Sequence, residues 1–195
     1  SQNDPFHFDL WNNGKNILRD GGSYSYNCSN KLLRYFCGNG THNTLEFKGN
    51  NQMVFFSRFL MGSRIKFPNI IKFDIQKNFE TFKTYYSFQK NFHQRKILNK
   101  LENNSWEIID NFRSTSGEII LRWRLIPIKW QQKKNLVFVS SLAKISLKSE
   151  NNINNIKSCK IVDGLESRFY GEKKKIPVIE LIISGYEGKV KTIIN

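Results

Sequence analysis

Few residues in this chain can do chemistry, and the histidines come first. There are three. His7 lies in Phe6-His7-Phe8-Asp9-Leu10-Trp11, His42 in Gly38-Asn39-Gly40-Thr41-His42-Asn43-Thr44, and His93 in Phe92-His93-Gln94-Arg95. On a strand, His7 and Asp9 share a face. Asp20 stands beside Gly21-Gly22, where a tight turn can bring backbone and carboxylate close to a ligand. Imidazoles with one or two carboxylates suit a divalent ion, zinc in particular, and serve equally as acid and base near neutral pH. Each histidine can also simply satisfy a turn or pack at a sheet edge, and spacing alone does not bring three separate segments together. Tyr24-Ser25-Tyr26 would put two phenols on one face of a strand, as proton donors, sugar platforms or ordinary sheet packing. Arg58, Arg64, Arg122, Arg124 and Arg168 have the fork geometry that grips carboxylate or sulfate. Arg122 and Arg124 share the polar face of one strand, where solvent is the simpler partner.

Other classes are excluded by what is missing. There is no G-x-S-x-G, no phosphate-binding glycine loop, no H-E-x-x-H, no dinucleotide fingerprint and no nucleic-acid motif. Cys28, Cys37 and Cys159 form no C-x-x-C, so neither a disulfide framework nor a zinc–thiolate site is expected, although Cys28 and Cys37 could pair. No apolar run approaches the roughly 18 residues of a membrane span. The net charge of +15 favours polyanionic partners: nucleic acid, anionic membrane or acidic polysaccharide. The opening Ser1-Gln2-Asn3-Asp4 lacks a Met and a signal peptide, and the chain is expected to be part of a longer protein.

The elements that must position these residues repeat with period two. Ala143, Ile145 and Leu147 alternate with lysines and serine, and Ile119, Leu121, Trp123 and Leu125 share one face. Ile179, Leu181 and Ile183 oppose Val178, Glu180 and Ile182, and Val190 to Ile194 makes a last short strand. Asn12-Asn13-Gly14 reads as a hairpin turn with positive φ. Lys48-Gly49-Asn50-Asn51 is read as a turn between strands at Thr44–Phe47 and Met53–Phe56. Glu102–Ser105 and Ser114–Gly117 are further turns. Helical patterns are nearly absent: Asn30–Phe36 could make one or two turns, Ile65–Asn78 is too mixed to assign, and Glu150–Ser158 reads as an exposed loop. With 16 Phe, 7 Tyr and 4 Trp among 195 residues, one substantial core is expected.

The run from His7 to Asn27, with Asp20-Gly21-Gly22-Ser23-Tyr24-Ser25-Tyr26-Asn27 inside it, resembles the start of the C-terminal β domain of heparinase II/III-like proteins. Tyr35-Phe36-Cys37-Gly38, Thr41-His42-Asn43-Thr44 and Gly49-Asn50-Asn51-Gln52-Met53 follow in that family's order. So do Ser57–Leu60, His93–Arg95, Leu121–Leu125 and Glu166–Glu172, so the resemblance spans nearly the whole chain. It implies a β-sandwich preceded by a helical toroid that this chain lacks, and lyase chemistry on uronic-acid polysaccharides. By resemblance, most proton-transfer groups belong to the toroid, and the working compartment is the periplasm or the cell exterior. His42 matches the H-N-T histidine and Asp20 the D-x-G aspartate, both metal-ligand or cleft candidates. Where the family carries a further histidine upstream, this sequence has Gln2-Asn3-Asp4, and Gln2 or His7 would have to substitute.

The fold expected is all-β, a large antiparallel supersandwich-like domain over residues 1–195 with at most one or two short helices. The function expected is the C-terminal domain of a lyase that β-eliminates an acidic polysaccharide, and the alternative is a non-catalytic carbohydrate-binding module. His42, Tyr24 and His93 are the catalytic candidates. His7, Trp11, Tyr26, Asn43 and Arg95 are the substrate-binding candidates, and Asp20 and His42 would hold one divalent ion, zinc or calcium. The partners expected are the polysaccharide and the toroid, with no nucleic acid and no membrane span.

Overall fold

The computed structural model describes residues 2–50, 56–58, 60, 62, 65, 72–134, 136–149 and 155–195. Residues 53–55 of the expected strand at Met53–Phe56, Arg64, and residues 150–154 of the expected Glu150–Ser158 loop lie outside the described residues; Phe56 falls in a bend, and residues 156–158 begin a strand instead of completing a loop. In chain order the elements are β1 (Leu10–Asn12), β2 (Lys15–Leu18), α1 (Asn30–Cys37), β3 (Leu45–Phe47), β4 (Lys72–Gln76), β5 (Phe79–Phe88), β6 (Asn91–Lys100) and β7 (Ser105–Arg113). Then come β8 (Glu118–Arg124), β9 (Gln131–Lys133), β10 (Val137–Val139), β11 (Lys144–Ser149), β12 (Ile156–Glu166), β13 (Lys174–Ser184) and β14 (Glu187–Ile194).

Period-two alternation resolves into two antiparallel sheets. The larger runs β4-β5-β6-β7-β14-β11-β10-β9, the smaller β12-β13-β8-β3, and β1 and β2 form a separate hairpin. That hairpin turns at Asn13 and Gly14, both at positive φ, as the Asn-Asn-Gly run requires. Ile119, Leu121, Trp123, Ile179, Leu181 and Ile183 of the smaller sheet form one buried cluster with Ile108, Phe112, Ile145, Leu147, Val190 and Ile194 of the larger. Trp123 Nε1–H donates across the core to Thr192 Oγ1 at 3.1 Å. The molecule is the antiparallel sandwich that the alternation implied.

The outer face of the smaller sheet departs from expectation. Arg124 is fully buried rather than solvated: Tyr35 of α1 and the turn after it cover this face, and the guanidinium donates to the carbonyls of Gly40 and Leu165. Arg122 is held between Glu46 of β3 and Glu180 of β13. Tyr24-Ser25-Tyr26 is not a strand. Tyr24 has φ of 51° and stacks on Phe36, while Tyr26 points outward beside Tyr170, so the two phenols do not share a face. His7 and Asp9 likewise lie in irregular backbone, and Cys28, Cys37 and Cys159 are free thiols.

Two devices fix the loops at one end of the sandwich. The first is a charge pair at zero exposure. Arg95 on β6 donates through Nε and Nη2 to the two oxygens of Asp110 on β7, at 2.7 and 3.0 Å. Its Nη1 reaches out of the sheet to the carbonyls of Phe6 and Asn43, at 2.6 and 2.7 Å. His93 Nε2 adds a 2.7 Å bond to Asp110. Burial would raise the Asp110 carboxyl, but the Arg95 charge and the His93 hydrogen bond outweigh it and bring it down to about 2. The second device is Gly22, at φ of 74°, which bridges Ser167; a Cβ there would lie 1.9 Å from the Ser167 carbonyl oxygen.

Two expectations follow. Asp110→Asn strands the Arg95 charge in the core and lowers unfolding free energy by about 3–5 kcal/mol in urea titrations; a loss below 1 kcal/mol contradicts the pairing. Because the Asp110 carboxyl falls from 3.8 to about 2 on folding, its contribution is present above pH 4 and fades as pH drops toward 2. Wild type should therefore lose roughly 2 kcal/mol over that window that the Asn variant does not. Gly22→Ala should lower the thermal midpoint by several degrees, and an unchanged midpoint would mean that the bridge to Ser167 is not formed.

Candidate functional site

The site is assembled from three segments that are irregular in themselves. The stretch before β1 is tied down by Asn3 N–H to Cys37 O at 2.8 Å and by the Thr44 hydroxyl to Pro5 O at 2.5 Å, which sets His7 in place. Asp20 follows β2, and its Oδ1 accepts the Gly22 amide at 2.6 Å, a local turn that aims the second oxygen. His42 caps the end of the short helical turn Asn39–Thr41 that follows α1. Its Nδ1–H donates to Asp20 Oδ2 at 2.7 Å, and His7 Nε2 lies 3.6 Å from the same oxygen.

Ligand atoms of His7, Asp20 and His42 thus lie within 4.8 Å of one another. Burial lowers the His7 ring, Asp20 opposing and His42 reinforcing, so His7 is neutral at pH 7. Burial would raise Asp20, but the hydrogen bond and charge of His42 and the Gly22 amide hold it below the usual carboxylate value. Asp20 is therefore an anion, and its side chain, 37% exposed, is the member of the cluster that reaches solvent.

Two imidazoles and a carboxylate are the donor set of a borderline-soft ion such as zinc, whereas calcium prefers oxygen alone. The Nε2 atoms of His7 and His42 are buried with no hydrogen-bond partner among the described residues. Asp20 and His42 fit one ion with a condition: the Nδ1–H of His42 donates to Asp20 Oδ2, and that proton must leave before both atoms can meet the same ion. His7 fits with a condition: its Nδ1 accepts the Asn43 amide at 2.9 Å, which puts the ring proton on Nε2, so His7 ligates only by releasing that bond.

Several expected roles change on burial. His42 is fully buried, with its Nδ1 turned to Asp20. His93 and Arg95 are fully buried in the Asp110 cluster and have no surface for proton transfer or substrate. Asn43 is equally buried. Its side chain binds Phe8 O, Arg19 O and the Arg124 amide, and so locks three segments together rather than meeting substrate. Tyr24 stacks on Phe36 at 5.4 Å with Lys173 above its ring. Trp11 and Tyr26 are exposed, with Trp11 Nε1 bonded to Asp9 and Tyr26 beside Tyr170. Asp110 carried no sequence signal, because a lone acid on a strand looks like any surface acid. The neighbouring buried pair of Arg19 and Glu166, whose carboxylate takes Arg19 Nη1 at 2.9 and 3.0 Å, was equally hidden, since 147 positions separate its members.

Comparisons with known proteins bear on the fold and the family. Among curated proteins none matches the sequence. The solved structures of a heparinase III and of the heparan sulfate lyase HepC from Pedobacter heparinus share the fold. The heparinase III superposes with a TM-score of 0.80 at 18% identity, over 99% of this chain and 30% of its own. HepC gives 0.78 at 19%, over 100% of this chain and 30% of its own. The chain thus spans less than a third of the length of either neighbour. The model of the heparinase II/III-like C-terminal family matches residues 1–188, and the chain belongs to that family.

Proposed function

We propose that this chain is the β domain of a polysaccharide lyase that cleaves an acidic, uronic-acid-containing chain by β-elimination, with a helical toroid completing the cleft. Membership of the family, and the lyase names of the structural neighbours, support the lyase class. The observation that carries the reading in this chain is Asp20, an anchored carboxylate at the surface with two imidazoles behind it.

β-Elimination needs the uronate carboxylate neutralised, the C5 proton removed and the departing O4 protonated, leaving a C4–C5 double bond. A bare Asp20 carboxylate would repel a uronate. An ion held by Asp20 and His42 would supply the missing positive charge at that point. His42 fixes the direction of Asp20, the Gly22 amide holds its other oxygen, and Asn43 sets the His7 ring. The buried His42 and His93 cannot deliver protons to O4 from this chain, so that step falls to the toroid in this reading. The same burial is what favours the alternative, a module that only binds carbohydrate.

In the full-length parent, we expect ultraviolet-absorbing unsaturated product from an acidic polysaccharide, and Asp20→Asn should lower kcat/KM at least about ten-fold with an unchanged thermal midpoint. Absence of product from the parent leaves the binding module, and full activity in the variant removes Asp20 from the mechanism. Zinc added at about a hundred-fold over its Kd should stabilise the chain by about 2.7 kcal/mol, and Asp20→Asn and His42→Ala should each abolish that gain. Equal stabilisation of the variants by zinc would place the ion elsewhere.

A further inference from the structure

A cavity opens beside Arg19, the residue before Asp20. Its volume is about 410 Å³, and it has Arg19, Glu166, Arg168, Glu172, Lys173 and Lys174 among its lining, with an apolar wall at Ile126 and Pro127. That size falls within the ~300–1,000 Å³ of small-molecule sites. Arg19 is only 7% exposed and is held rigidly: Nε donates to Asn16 Oδ1 at 3.2 Å, and Nη1 to both oxygens of Glu166. Nη2 is the guanidinium nitrogen that takes part in neither of these contacts.

The charges around it are unbalanced. Four cations line the cavity against two carboxylates, and Glu166 is already taken by Arg19. Arg168 has no ion pair among the described residues, and its neighbour Arg19 repels it. Lys174 likewise has no acidic partner there. Unpaired cations around a fixed guanidinium make a receptor for an anion, and the Ile126-Pro127 wall offers an apolar surface for a sugar ring.

We propose that this cavity binds one acidic sugar unit, its carboxylate or sulfate held by Arg19 Nη2, Arg168 and Lys174. The sugar part of the assignment rests on the acidic-polysaccharide reading above; the anion part rests on the cavity alone.

The test titrates the full chain with a heparin-derived hexasaccharide, its desulfated form and a neutral hexasaccharide of glucose. The acidic ligands should bind with a Kd that rises steeply with salt, and the neutral one at least ten-fold more weakly. Arg168→Ala/Lys174→Ala, at exposed positions, should keep the thermal midpoint and weaken acidic binding at least ten-fold. Arg19→Lys, which keeps the charge and removes the fork, should weaken it several-fold. Loss with either acidic ligand supports the site, and the larger loss names the anion. Binding by the double variant within two-fold of wild type, no acidic binding by wild type, or equal binding of the neutral hexasaccharide overturns it. If the double variant loses binding while the parent yields no unsaturated product, the cavity stands and the lyase reading falls. If the parent is active and the double variant binds normally, the reverse holds.

Discussion

The fully buried Arg95 guanidinium is the point on which the candidate site depends. A charge in a core is tolerated only when every donor is satisfied, and here two donors go to Asp110 and the third turns outward to Phe6 O and Asn43 O. Those two carbonyls flank His7 and His42. The large sheet therefore sets the position of two loops that have no regular structure of their own. Asn43 extends the tie to Phe8, Arg19 and Arg124, so the backbone carrying the cluster is held from both sheets.

The sandwich was legible because period two is a local signal. Ile119, Leu121, Trp123 and Leu125 announce a buried face, and all four are at zero exposure. The Asn-Asn-Gly hairpin was legible because few residues accept positive φ at adjacent positions. The opposite face of β8 was misread for the same reason in reverse. Arg122 and Arg124 look solvated on a single strand, and only the packing of α1 and the flanking strands reveals that they are covered. The Tyr24–Tyr26 stretch has strand-like alternation, but Tyr24 takes a left-handed turn that alternation cannot foresee.

The candidate site was legible in part. His42 and Asp20 were picked out by resemblance, and their 2.7 Å contact joins them. His7 was named as a substitute without any local reason to place it there. What no local pattern carries is burial: His93, Arg95 and Asn43 read as chemistry because of their types, and each is closed off from solvent by residues distant in sequence. Asp110 and Glu166 were missed because their partners are found only after strands pair.

The sequence distances that close this region have a kinetic consequence. Phe6 meets Arg95 across 89 positions, and Arg19 meets Glu166 across 147. Such contacts bear the full entropy of closing long loops, whereas the β5–β6 and β6–β7 hairpins form between neighbours. The hairpins should collapse first and the amino-terminal arm should dock last, onto a surface already built. The histidine cluster then comes into being only at the end of folding, so a nascent chain still lacking its final strands carries no preformed trap for metal ions.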